Sequence, residues 1–286
     1  MSFEQEIRIY RENHPQKTMT INNVQFPYML SGKGKHTLVL LAGGGGVSEA
    51  FFKHVQALEP HYRILTFDYP AGYPTSDSLA DAIAQLIRTE DLRNVYLVGQ
   101  SFGGMLAQCI AKHHPDVVSG LILSNTGTIM ANMSSDARSL MRLKKKKFKK
   151  AMTLVRWLPF GLIRSLMLKN VLKNMKKNDP NETLYVHNFF KFMFLQLNRK
   201  KELHMCALIL DFMDTQTFSK SDFTYLDGKI LLLQSIDDDT FGSEIPDLLV
   251  DLMPNPRVQR DMSGGHLLIL LNFEAYIDEI KAFVRD

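Results

Sequence analysis

Cysteine is scarce in this chain: Cys109 and Cys206 are the only two among 286 residues. That excludes a disulfide framework, and two thiols in separate apolar helical stretches do not make a metal site. Both are expected to be reduced core thiols. Long apolar runs are also missing. None reaches the roughly 18 residues that span a bilayer, so no membrane-spanning helix is expected. The opening "MSFEQEIRIYRENHP" carries charges throughout, which predicts no secretory leader and a cytoplasmic location. There is no internal repeat and no low-complexity stretch beyond one lysine run.

What is present is the composition of an ordinary soluble globular chain, 45% hydrophobic and 22% charged. Its length allows one large α/β domain or a domain with an insertion. The net charge of +4 hides an asymmetry. Residues 138–201 hold 18 Lys and Arg against only Asp179 and Glu182, so a basic segment sits inside an otherwise acidic chain.

Element signals alternate along the first half. Residues to about Gln16 read as a helical or irregular arm, and 18–30 as a hairpin around Asn22-Asn23. "HTLVLLAGG" (36–44) is a continuous apolar run of the kind buried on both faces of a parallel sheet. A helix over 49–60, a strand over 62–70 and a helix over 78–87 behind a Ser76/Asp77 cap follow. Next come a strand at 94–100, a helix at 102–114 and a strand at 118–125. This run of βα units predicts a doubly wound, mostly parallel sheet. From Gly127 the pattern is helical for almost 100 residues, with Asp179-Pro180-Asn181-Glu182 as one helix start. The alternation then returns as a strand at 229–235, a helix at 244–253, a strand at 257–263 and a closing helix at 267–284. Residues 127–223 are therefore expected to be a helical insertion in a core formed by 1–126 and 224–286.

Chemistry is suggested by "VGQSFGG", where Ser101 lies between glycines at the junction of strand and helix. A Gly-x-Ser-x-Gly string arises by chance in roughly one chain in ten of this length, so it needs support from elsewhere. A serine nucleophile requires a base, a group that orients the base, and two N–H donors for the oxyanion. The N–H of Phe102, at the start of the helix, is one candidate donor. The loop "AGGGG" (42–46) after the first parallel strand is the source expected for the second. His266, in "SGGHLLIL", falls between a Gly-Gly turn and a helix start at the same sheet edge, which favours it as the base. His113 and His114 end a helix, while His36, His54 and His61 flank elements and read as surface or capping residues. The acid is expected among Asp237, Asp238 and Asp239, directly after the strand at 229–235.

Taken together, these motifs resemble the α/β-hydrolase superfamily, in particular members with a helical cap inserted after the sixth strand. The resemblance covers nearly the whole chain. Relatives commonly read Gly-Glu-x-Asp in the acid loop, and laying Ser235-Ile236-Asp237-Asp238 on it implies Asp238 as the orienting acid, before Asp237 and Asp239. It implies Gly44 as the oxyanion donor partnering Phe102, with Gly43 or Gly45 as alternatives. Some members carry the acid after the sixth strand, where this chain has only Asn125. Relatives often have His-Gly where this chain has Ala42-Gly43, so an ordering hydrogen bond from that histidine is missing. Asp68 is read as structural. The function implied is hydrolysis of an ester, thioester or amide through an acyl-enzyme, with no cofactor.

Two other readings compete. A dinucleotide site would use the glycines after residue 41 with Asp68 on the ribose, but the third small position falls on Ser48 or Glu49. A non-catalytic member of the same fold would not need Ser101, an aspartate and His266 together. The insertion holds nine of the fifteen methionines and the cluster "HNFFKFMFLQL" (187–197). As a roof over the serine these favour a small-molecule substrate with an apolar acyl part. In "RLKKKKFKKAMTLVRWL" (142–158), Phe148, Met152 and Val155 share a stripe and the lysines lie elsewhere. That pattern is either a solvated face or a weak contact with an anionic membrane surface or coenzyme A. In the second case Lys144 to Lys147 are expected to serve it without touching turnover. Nucleic acid is not expected, because aromatic residues are not interleaved with the lysines.

Overall fold

The computed structural model describes residues 3–174 and 180–285. Helix α1 (Phe3–Asn13) comes first and buries Phe3, Ile7 and Tyr10, one side of the helix. Strands β1 (Lys17–Ile21) and β2 (Val24–Ser31) then form the expected hairpin. Its two turn residues, Asn22 and Asn23, both have positive φ (50° and 62°). A two-residue turn that matches strand twist demands that conformation, and asparagine tolerates it.

The core alternates β3 (Thr37–Leu41), α2 (Phe52–Leu58), β4 (Arg63–Thr66), α3 (Ser76–Thr89), β5 (Val95–Gln100), α4 (Phe102–His113) and β6 (Gly120–Ser124). Every residue of β3 and β6 is buried, as a parallel sheet covered on both faces requires. Among the described residues, four α-helices intervene before the sheet resumes: α5 (Ser135–Trp157), α6 (Phe160–Asn174), α7 (Pro180–Gln196) and α8 (Arg199–Thr215). The chain closes with β7 (Ile230–Leu233), α9 (Glu244–Leu252), β8 (Arg257–Gln259), α10 (Leu268–Leu271) and α11 (Phe273–Phe283). The eight strands form one sheet in the order β1-β2-β4-β3-β5-β6-β7-β8, antiparallel only at β1–β2 and β2–β4. An isolated bridge between Met130 and Phe218 ties together the two chain ends of the helical segment. No helix among the described residues is long and apolar enough to cross a membrane.

Several boundaries differ from the sequence expectation. Helix α3 is capped by Thr75, whose side chain exchanges hydrogen bonds with Ser78, rather than by Ser76 or Asp77. Strand β8 has three residues, because Arg260 turns out of the ladder to Gln234 and Asp247. The closing helix is broken at Asn272, whose side-chain amide donates to the Ser263 carbonyl. Asp179, the expected cap of α7, lies outside the described residues.

Glycine matters most where α4 crosses the sheet. A Cβ on Gly103 would overlap the Leu41 carbonyl, and one on Gly99 would overlap Gly103 itself. Close passage of α4 over β3 and β5 brings residue 101 to the carboxyl edge of the sheet.

Candidate active site

Ser101 occupies φ 53°, ψ −119°, between the end of β5 and the first residue of α4. A left-handed φ at a non-glycine residue costs on the order of 1–3 kcal/mol and persists only where the surroundings enforce it. Here β6 enforces it from its carboxyl end. The Ser101 N–H donates to the Ser124 carbonyl at 3.0 Å, and the Thr126 hydroxyl donates to the Ser101 carbonyl at 2.6 Å.

His266 and Asp238 meet that serine. His266 Nε2 lies 2.9 Å from Ser101 Oγ, and His266 Nδ1 lies 2.8 Å from Asp238 Oδ2. A carboxylate can only accept, so Nδ1 carries the proton and Nε2 is left to accept from the serine. Burial by itself would raise the Asp238 carboxyl. The hydrogen bond and charge of His266, with the Thr240 N–H on Asp238 Oδ1, reverse this and hold it below its usual value. Asp238 is therefore held as the anion beside the imidazole.

The other two aspartates separate. Asp239 is exposed. Asp237 turns to the protein and away from His266. Its Oδ1 accepts from the Ser235 hydroxyl (2.7 Å) and the N–H groups of Gly264 (3.0 Å) and Gly265 (2.7 Å). It thereby links the acid loop to the turn that carries His266. Asn125, the residue after β6, does the same, accepting from Ser235 N–H at 2.8 Å and donating to the Gly265 carbonyl at 2.6 Å. Gln100 donates to the carbonyl of His266 at 3.1 Å. Sequence reasoning weighed Asn125 only as an absent acid and gave Gln100 no role. The available signal was a polar residue directly at the carboxyl end of each central strand. Replacing Asp237 by alanine is expected to lower stability by about 2–3 kcal/mol, because three donors lose a charged acceptor. Asp237→Asn keeps an acceptor oxygen and loses less. Urea unfolding of both variants measures the difference.

The glycine loop is ordered without a histidine. The Tyr69 hydroxyl donates to the Ala42 carbonyl at 2.6 Å. Asp68 Oδ1 accepts from the N–H and hydroxyl of Ser48 at 2.9 Å each, while Lys201 reaches Asp68 Oδ2 at 3.0 Å. Asp68 is thus committed to the protein, as its structural reading requires. A Cβ on Gly43 would come within 2.5 Å of Gln100 Oε1, whereas one on Gly44 would meet only Ile209, at 3.7 Å. The missing side chain of Gly44 consequently keeps space open beside Ser101.

That space comprises two cavities, both bordered by Gly44, Ser101 and His266. One of about 270 Å³ is lined by Val171 of α6 and by Phe189, Phe190, Met193, Phe194 and Leu197. The second, of about 210 Å³, is walled by Met105, Phe148, Met205, Ile209 and Met213, with Phe102, Lys144 and Glu202 also facing it. A further cavity of about 310 Å³ touches Asp238 but neither Ser101 nor His266. His54 also corrects an expectation, since it is buried at the floor of the first cavity rather than at the surface. Burial depresses it to about 4, and one ring nitrogen bonds the Ile269 carbonyl at 3.0 Å. It is neutral at pH 7. His113 and His114 pair with Asp77 and Asp81 outside the site. Cys109 and Cys206 are buried free thiols, and burial pushes Cys206 up to about 12.

Glu202 is raised to about 6 by burial, and one of its oxygens is buried without a partner. The native state therefore holds a proton on Glu202 over a pH range where the unfolded chain has lost it. Stability falls as pH rises from the usual value of 4.5 towards 6. The expected cost above that window is about 2 kcal/mol. Glu202→Gln should raise the melting temperature at pH 7 and leave it unchanged at pH 4 (roughly, below the ordinary carboxylate range). Thermal unfolding at the two pH values checks this.

A doubly wound sheet bearing a serine on a strained turn at its carboxyl edge is the architecture of the α/β hydrolases. Residues 36–273 match the α/β-hydrolase fold family, and the chain belongs to it. A RutD protein of Serratia proteamaculans, named for carbamate hydrolysis, is 35% identical over 99 residues, 31% of this chain and 37% of RutD. The pimeloyl-[acyl-carrier protein] methyl ester esterase of Vibrio cholerae is 36% identical over 98 residues, 33% of this chain and 38% of the esterase. Each match thus spans less than two fifths of the relative. Among solved structures, the enol-lactonase from Burkholderia xenovorans superposes with a TM-score of 0.74 at 16% identity, covering 93% of this chain and 99% of that one. At that identity the likeness is one of fold.

Proposed function

We propose that this chain is a serine hydrolase cleaving a carboxylic ester, thioester or amide of a small molecule with an apolar acyl part. The observation that carries the reading is the Asp238–His266–Ser101 relay, at 2.8 and 2.9 Å, opening onto two largely apolar cavities. His266 Nε2 takes the Ser101 proton as Oγ attacks the carbonyl carbon, and Asp238 stabilises the imidazolium. The N–H groups of Phe102 and Gly44 receive the oxyanion. Phe102 is the first residue of α4, where the N–H has no partner within the helix. His266 then protonates the leaving group, and water, activated by the same nitrogen, releases the acyl chain.

Segment 127–223 acts in this proposal as a cap on a core of 1–126 and 224–286. The first cavity takes the acyl part, on the strength of its phenylalanine and methionine walls. The unpaired thiols of Cys109 and Cys206 favour a cytoplasmic location. Relatives named for ester and carbamate hydrolysis fit the reaction class and leave the leaving group open. A fluorophosphonate probe tests the reading: it should label Ser101, and labelling elsewhere or not at all overturns the assignment.

A further inference from the structure

The two helices that follow β6 have opposite chemistry on their two sides. Their inner sides line the cavities, through Met141, Lys144 and Phe148 of α5 and Val171 of α6. On α5, Leu143, Lys147, Lys150, Leu154 and Trp157 recur at intervals of four and three residues, so they share the outer side. All five are exposed, Trp157 at 77%. On α6 the same spacing sets Leu162, Leu166, Lys169 and Lys173 outward, again all exposed. Across 135–174 there are twelve basic residues and a single acid, Asp136.

The structure corrects which lysines are available to a partner. Lys144 borders the second cavity, and its ammonium lies 5.2 Å above the Phe241 ring. Lys145 is paired with Asp214 of α8. Lys146, Lys147, Lys149 and Lys150 are exposed and form no ion pair with any described residue. Cations flanking exposed leucines and a tryptophan are what an interfacial helix presents to lipid: apolar groups enter the headgroup boundary while lysines meet anionic headgroups. Tryptophan itself favours that boundary.

We propose that the outer face of α5 and α6 docks reversibly on an anionic lipid bilayer. Charge selects the occupant: an almost acid-free face carrying apolar side chains complements phosphatidylserine-type headgroups and repels a second copy of itself. Docking there places the cavity-lining helices against the membrane, where apolar acyl compounds accumulate.

Trp157 is the only tryptophan in the chain, so its fluorescence reports this contact directly. With vesicles of phosphatidylcholine plus phosphatidylserine at low salt, its emission should shift to the blue. Vesicles of phosphatidylcholine alone should produce no shift. Each lysine near an anionic surface is worth roughly a fivefold change in partitioning. Changing Lys146, Lys147, Lys149 and Lys150 to glutamine should therefore lower vesicle partitioning by about 100-fold or more, with melting temperature and soluble-ester turnover unchanged. Leu143→Ser with Leu154→Ser should weaken binding while leaving the charge intact. Ser101→Ala should bind as wild type does, which separates this proposal from the catalytic one. Equal shifts on neutral and anionic vesicles, or full binding by the glutamine variant, overturn it. So does a lipid-free blue shift that grows with protein concentration, which gives the face to a second copy, or one produced by coenzyme A alone.

Discussion

Ser101→Ala is expected to abolish fluorophosphonate labelling and to lower turnover of p-nitrophenyl esters by about 10⁶-fold, and His266→Ala is expected to do the same. The double variant is no worse than either single one. The reason lies in the relay: Ser101 Oγ–H has His266 Nε2 as its acceptor, at 2.9 Å. Without it the hydroxyl attacks with its proton in place, and without the serine the base has nothing to activate. Both losses remove the same transition state. Residual turnover above the rate in water should survive, since the N–H groups of Gly44 and Phe102 and the cavities are untouched. Initial rates, with active sites titrated by the probe, measure these losses. Comparable losses that simply add in the double variant would break the claim that the two residues act as a unit.

Asp238→Asn is expected to lower kcat by about 10⁴-fold with little change in KM. An asparagine of the same shape presents an amide that can donate to Nδ1. The imidazole then carries its proton on Nε2, facing Ser101, in the tautomer that cannot act as base. Charge and tautomer are lost while the contact remains. Asp237→Asn makes the contrast: its oxygen still accepts from Ser235 and from Gly264 and Gly265, so kcat should fall by no more than about tenfold, from a looser turn around His266. Steady-state kinetics on the two variants separate the acid that orients the base from the acid that braces its loop. A crippled Asp237→Asn beside an active Asp238→Asn would move the orienting role by one residue.

The ladder of βα units could be read from the chain because burial on both faces of a parallel sheet leaves unbroken apolar runs such as "TLVLL". The turn at Ser101 was legible for a similar reason: Gly99 and Gly103 have no alternative where α4 crosses β3 and β5. Such one-dimensional signals arise where the constraint is local, in φ, in period or in a missing Cβ. Asp237 and Asp238 are neighbours with the same side chain, and no local rule assigns one to His266 and the other to two glycine amides. Their roles depend on which way the loop turns after β7, a turn braced by Asn125, the residue that follows a different strand. Lys144 and Lys147 belong to one lysine run, yet the packing of α5 against the second cavity turns one inward and leaves the other exposed. Helical period alone specifies relative directions around α5, but the absolute direction of its inner side comes from what it packs against. By itself, then, the sequence determined the fold family, the order of the strands' chemistry and the residue types at their carboxyl ends. Tertiary structure decided which of several equivalent side chains faces the serine, because long-range hydrogen bonds between strand ends leave no periodicity along the chain.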